Sequence, residues 1–386
     1  MSYIRRCQLS GYKSIKNVSC EFNKGLNIII GNNGSGKTTF VEFMYKILTN
    51  DYTGLDIFNA EINIAEFDSY KRKDLRVART IKESTGYYNE VIDRIEPHIE
   101  SVSEPGNEAN YTIEFIRFNI NYETPILAIE YNPKFNVTNK RFILNDVIEP
   151  IPFVLRIWFL VFFKKAYLEN IVESEFTGDY LFNSLNHFFE KFFWHVKKEI
   201  VIYSPVEDIR FSNSIRVAKI DSSTIEFRNI VFEYKINNEW FSWSALSDGT
   251  KRLIHIIFAI QGIDSDMLDS SAKDLIDLIG GFPITLIEEP EMGIHPHQLH
   301  LLMTYLKEKA EKQQIILTTH SPQVLDVLSE DELDRIFIAE IDYEDGTTIR
   351  KLTEKETEKA RFYLRDEGML SDYWRFSDLQ ESKQSK

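Results

Sequence analysis

Cysteine is nearly absent: the 386 residues hold only Cys7 and Cys20. Both fall in strand-like runs without metal-ligand spacing, which argues against a disulfide framework or a zinc site and leaves reduced core thiols. A long apolar run is missing too. The most apolar stretch, residues 151–163, contains Arg156 and is shorter than the roughly 20 residues that span a bilayer. Residues 1–9 alternate like a strand and lack the apolar core of a signal peptide. A cytoplasmic protein without membrane contact is expected. Positive charge is not in excess either. A net charge of −15 argues against a chain coated in basic residues, although a local basic groove stays open. The clearest basic cluster is Lys71, Arg72, Lys73, Arg76, Arg79 and Lys82, where 72, 76 and 79 share one face if the segment is helical. Interleaved Asp68, Asp74 and Glu83 favour a solvated helix over nucleic-acid contact.

What the chain does have begins at Gly31-Asn32-Asn33-Gly34-Ser35-Gly36-Lys37-Thr38, which fits G-x-x-x-x-G-K-S/T directly after the apolar run 26–30. A strand breaking into such a loop and then a helix aims backbone N–H groups and a positive helix end at one anion, and triphosphate is the natural occupant. Lys37 is placed to reach the β- and γ-phosphates and the Thr38 hydroxyl to ligate Mg²⁺, with Thr39 opening the helix.

Around this loop, residues 3–9, 18–22 and 26–30 read as antiparallel strands, and 52–100 as a charged helical region. Three β-rich runs, 111–120, 126–131 and 141–147, are expected to complete the N-terminal sheet. Residues 151–198 read as a buried aromatic helical subdomain without sustained heptads. Strands return at 199–203, 224–227, 230–236 and 240–243, helix and strand then alternate to about residue 352, and a charged helical tail follows.

Three further segments carry chemistry. Pro283-Ile284-Thr285-Leu286-Ile287-Glu288-Glu289-Pro290 is an apolar strand ending in two acids, so that Glu288 suits Mg²⁺ and Glu289 suits orienting or deprotonating a water; a pair of acids at a helix start is the plainer alternative. Ile315-Ile316-Leu317-Thr318-Thr319-His320 is a second strand, ending on a histidine; a structural role is the plainer alternative, and its place after the acid-tipped strand and one helix favours a γ-phosphate contact. Ala245-Leu246-Ser247-Asp248-Gly249-Thr250 opens a helix at 253–261; Ser247 reads either as an N-cap or, with Gly249, as a second anion site that one triphosphate does not need from the same chain.

Taken in order, the phosphate loop, Leu-Ser-Asp-Gly-Thr, Glu-Glu-Pro-Glu and Thr-Thr-His-Ser-Pro segments resemble the ATP-binding-cassette ATPases. Within them the chain is most similar to the soluble branch of RecF, SMC-type heads and OLD-like ATPases of bacterial defence systems. The opening, residues 9–17, is similar to that branch's start, which adds Lys13 and Ser14 as nucleotide-site candidates. The resemblance implies an α/β fold: an ABC-type P-loop ATPase head with a mixed β-sheet lobe, a helical insert and a RecA-like core. It divides the chain into 1–50, an insertion 51–198, a second head segment 199–352 and a tail 353–386. It also implies ATP and Mg²⁺ as cofactors and a homodimer, or higher oligomer, closing on two ATP. Ser247 and Gly249 then act in trans, Glu289 is the catalytic carboxylate, His320 senses γ-phosphate, and residues 291–295 cross the interface. No Gln occurs between Gln8 and Gln261, so the usual Mg²⁺-coupling Gln is missing, with Ser204, Glu207 or Asp208 as open replacements. About 45 residues follow Glu340, too few for an OLD-type nuclease domain. Residues 336–341 and 347–352 read as a hairpin around Asp345-Gly346. A separate effector, nuclease or toxin, is therefore expected, with direct DNA maintenance as the alternative.

Overall fold

The computed structural model describes residues 2–49, 51–66, 72–84, 87–95, 112–116, 127–130, 141–145, 178–212, 216–219, 224–228, 232–261, 283–366 and 368–376. They divide between two compact units, 1–117 with 279–386, and 118–278.

The first unit opens with β1 (Ser2–Ser10), β2 (Val18–Glu21), β3 (Leu26–Ile30) and α1 (Lys37–Thr49). β4 (Phe58–Glu66), β5 (Arg72–Ser84), β6 (Tyr87–Ile95) and β7 (Thr112–Ile116) follow. The second unit holds β8 (Leu127–Glu130), β9 (Arg141–Asn145), α2 (Gly178–Tyr203), β10 (Asp208–Phe211), β11 (Arg216–Lys219), β12 (Thr224–Arg228), β13 (Phe232–Ile236), β14 (Glu239–Ser242) and α3 (Asp248–Gln261). The chain then returns to the first unit with β15 (Pro283–Glu288), α4 (Pro296–Lys309), β16 (Gln314–Thr319), β17 (Ile336–Asp342), β18 (Gly346–Lys351), α5 (Glu354–Asp366) and α6 (Leu370–Phe376).

In the first unit an antiparallel sheet runs β2-β1-β4-β5-β6 and a second sheet runs β18-β17-β3-β16-β15-β7. All strands of the second are parallel except the edge strand β18, which pairs antiparallel with β17. β3 thus does not continue the antiparallel meander expected for residues 1–30. All five of its residues are buried, so it needs cover on both faces, as parallel sheets have. β2, by contrast, alternates buried Val18 and Cys20 with exposed Ser19 and Glu21. β1 alternates too, but a bulge between Ile4 and Arg6 leaves Arg5 and Arg6 both exposed.

Within 52–100, expected to be helical, the described residues include the long strands β4, β5 and β6. Leu75, Val77 and Ile81 recur at even spacing, the period of a strand, and Val77 is buried. On a strand, positions 72 and 76 share a face that 79 does not, and Lys71 lies outside the described residues. The single basic helical face is therefore absent. The three runs expected to complete the N-terminal sheet also separate. β7 extends the parallel sheet beside β15, while β8 and β9 join β12 and β11 in a second-unit sheet ordered β11-β12-β9-β8.

Residues 199–203, with the β-branched run Ile200-Val201-Ile202, were expected as a strand and form the last turn of α2. Val196, Ile200 and Tyr203 are buried at helical spacing, and that packing overrides local propensity. The apolar run 151–163 lies outside the described residues. A three-stranded sheet, β10-β13-β14, meets α3 through Phe232 and Phe258, stacked 6.1 Å apart. The C-terminal hairpin is as expected, with Asp342 opposite Gly346. No described helix is long and apolar enough to cross a membrane.

One apolar cluster fills the first unit. It joins Ile4, Leu9 and Ile62 of the antiparallel sheet to Phe40, Phe43 and Met44 of α1 and to Leu286, Ile316 and Phe337 of the parallel sheet. Each such fully buried side chain is worth roughly 1.5–3 kcal/mol. Cys7 and Cys20 sit in this core as free thiols, directly opposite on β1 and β2. The Cys20 hydrogen bond and burial push the Cys7 thiol well up, so it is not poised as a nucleophile. Buried Gln314 links the two sheets: its Oε1 accepts from Ile4 N at 2.7 Å and its Nε2 donates to Ile4 O at 2.9 Å.

Candidate functional site

Parallel pairing brings three strand ends together. Thr319 lies level with Ile30, and Glu288 with Thr318, so the carboxyl ends of β3, β16 and β15 converge, the usual place for a ligand on such a sheet. The loop leaving β3 is shaped by contacts that admit no side chain. A Cβ on Gly31 would stand 2.2 Å from Ala339 O, and one on Gly36 would stand 1.9 Å from Thr347 Oγ1. Gly36 also has φ +90°, a conformation that strains any other residue. Thr347, fully buried on β18, donates to Ser14 Oγ at 2.8 Å and so fastens the loop to the chain's opening turn. Gly36→Ala is expected to cost about 2–4 kcal/mol in urea unfolding and to remove ATP binding. Wild-type stability and affinity would show that the Thr347 brace yields.

Lys37 is buried at the start of α1, and its Nζ donates to Gly31 O at 2.7 Å and Asn32 O at 2.8 Å. Burial lowers its pKa, opposed by the fields of Glu289, Glu291 and Glu288. The Thr38 hydroxyl donates to Glu288 Oε1. Glu289, at the bend after β15, is held at φ +44° and its N–H donates to Thr318 O at 2.8 Å. That is an unfavourable backbone for a glutamate, costing on the order of 1–3 kcal/mol, and such strain concentrates at functional sites. His320 Nδ1 stands 3.5 Å from Glu289 Oε1 and 3.3 Å from Glu291 Oε1.

These groups surround a cavity of about 440 Å³, a size suited to a small-molecule ligand. Ser14, Asn33, Gly34, Gly36, Lys37, Thr38, Thr39, Glu289 and His320 all line it. Gly31, Asn32 and Ser35 form the loop behind. Lys13 instead pairs with Glu42 of α1 at 3.0 Å. Ser247 and Gly249 belong to the second unit, where Ser247 caps α3: its Oγ accepts from Thr250 N at 3.2 Å, and Gly249 is buried in the first turn. Of the three candidates for the missing Gln, Ser204 Oγ accepts from Val206 N, Glu207 Oε2 accepts from Asn238 N, and Asp208 pairs with Lys197.

Sequence reasoning missed Ile341, which also lines the cavity, and Thr347 against Gly36 behind it; Met292 and Glu291 were expected at a dimer interface and not at the cavity, which Met292 lines and Glu291 backs. Of these only Glu291 left a signal, as a third acid two positions after Glu289. Thr38 Oγ1 and Glu288 Oε1 already touch, and a hydroxyl with a carboxylate is a hard oxygen pair that fits Mg²⁺, which takes few protein ligands beside phosphate.

A family profile described as "AAA domain, putative AbiEii toxin, Type IV TA system" matches residues 26–326. The Septu protein PtuA of Bacillus thuringiensis is 23% identical over 347 residues, 86% of this chain and 75% of that protein. The DNA replication and repair protein RecF of Streptococcus uberis is 44% identical over 43 residues, 11% of this chain and 12% of that one. Among solved structures, the Smc head domain with an extended coiled coil from Pyrococcus furiosus, bound to the C-terminal domain of ScpA, superposes with a TM-score of 0.51. It is 14% identical and the match covers 95% of this chain and 100% of that chain, a likeness of fold alone.

Proposed function

Because the chain belongs to this AAA-domain family and has the α/β fold of ABC-type ATPase heads, we propose that it hydrolyses ATP and that the reaction switches a separate effector in a bacterial defence-type system. The observation that carries this reading is the convergence of Lys37, Glu289 and His320 on one cavity at the carboxyl ends of parallel strands. Lys37, freed from Gly31 O and Asn32 O, neutralises the β- and γ-phosphates, and the loop N–H groups hold them. Thr38 and Glu288 are the residues to hold Mg²⁺, which when bound neutralises charge on the phosphates. Glu289 orients a water and takes its proton as the water oxygen attacks the γ-phosphorus; the bridging bond breaks and its electron pair stays on ADP. His320, beside Glu289, contacts the γ-phosphate oxygens.

The cavity's rim supports a site completed by a second copy. Met292 and Ile341 line it while 45% and 55% exposed, an apolar border suited to closure by a partner surface. In a head-to-tail dimer Ser247 and Gly249 of each subunit cover the other's ATP. The effector reading rests on family likeness, PtuA and the toxin-system family included. Sedimentation velocity with ATP and Mg²⁺ should show the chain doubling in mass, reversed by EDTA. An unchanged mass with ATP or a slowly hydrolysed analogue would sink the dimer. Duplex DNA that raises turnover, lost on charge reversal at Arg72, Arg76 and Arg79, would favour the RecF-like alternative instead.

A further inference from the structure

Glu291 is an unusual carboxylate. Its side chain is 7% exposed, yet it follows Pro290 in a loop and makes no part of the cavity wall. Among the described residues one oxygen takes all its hydrogen bonds: Oε1 accepts from Thr319 Oγ1 at 2.6 Å, His320 N at 3.0 Å and Ser321 N at 3.3 Å. The other, Oε2, is buried with no hydrogen-bond partner among the described residues. A buried acid is costly unless its donors are fixed. The donors here are consecutive residues at the end of β16, where the chain must stop pairing and turn His320 toward the cavity. The same Oε1 lies 3.3 Å from His320 Nδ1. A carboxylate there favours the proton on Nδ1 and directs Nε2 elsewhere.

We propose that Glu291 is the positioning residue for His320, holding both the backbone and the ring of the histidine so that Nε2 faces the γ-phosphate. Glu291 does not touch the nucleotide. It acts by reach: one acceptor atom at fixed height takes three donors and the ring. The inference rests on His320 being the γ-phosphate contact.

Two mild substitutions separate reach from charge. Glu291→Gln keeps the length and the Oε1 acceptor, so kcat should stay within about fivefold of wild type. Glu291→Asp keeps the charge but withdraws the acceptor by one methylene, so kcat should fall about tenfold while KM for ATP moves less than about twofold. In a His320→Ala background, itself impaired, Glu291→Asp should have no further effect, because residues acting as one unit are non-additive. If the two losses multiply, or Glu291→Asp raises KM at unchanged kcat, Glu291 does not work through His320 and the inference is overturned alone. If His320→Ala turns over ATP like wild type, the role of His320 falls and this inference with it.

Discussion

In Glu289→Gln, ATP turnover falls about 10³-fold while ATP affinity is kept and the ATP-bound dimer accumulates. Glutamine has the same length and can hold the same bend, in which the residue 289 N–H donates to Thr318 O. What it loses is the ability to take a proton. It also removes the charge 3.5 Å from His320 Nδ1 and one of three carboxylate fields on Lys37. Neither change weakens the loop N–H groups that hold phosphate, so binding persists. Phosphate release in the steady state and mass by light scattering read the two effects separately. A variant that hydrolyses ATP at the wild-type rate refutes the assigned carboxylate.

Ser247→Arg acts from the opposite side of the proposed dimer. Loss of the cap on α3 costs about 1 kcal/mol, too little to unfold the chain. The arginine would nonetheless stand where the neighbouring subunit's γ-phosphate must be covered. Turnover should drop more than about a hundredfold, with ATP binding to the single chain nearly unchanged because the phosphate loop belongs to the other unit. Mixing supplies a sharper measurement. A heterodimer of Ser247→Arg with Lys37→Ala has one site with both elements intact, so an equal mixture of two dead parents should regain about a quarter of wild-type turnover. No recovery on mixing, or lost ATP binding in the single chain, would count against a composite site.

The phosphate loop was legible because everything it needs is contiguous: buried strand, glycines, Lys37 and helix. Glu288, Glu289 and His320 were legible as polar ends of apolar strands, and parallel register then set them side by side. Other features depend on distant partners. Thr347 and Ser14 meet across 333 residues, and no local pattern marks either as a brace. Arg72, Arg76 and Arg79 imitated a helical face because charges hid the even spacing of Leu75, Val77 and Ile81. Ile200, Val201 and Ile202 have strand propensity, and only the burial of Val196, Ile200 and Tyr203 reveals a helix. Glu291 was readable as an acid, but its work depends on β16 lying beside β15.

The contact between Thr347 and Ser14 also bears on the birth of the protein. At roughly 5–20 residues per second, a ribosome needs about 17–67 s to cover the 333-residue separation. For most of that time Gly36 exists without the wall that fits it, and β3 waits for its flanking strands, β16 and β17, which are made only shortly before Thr347. A nascent chain therefore carries an unfinished phosphate loop until β18 has been made and Thr347 can close on Gly36 and Ser14.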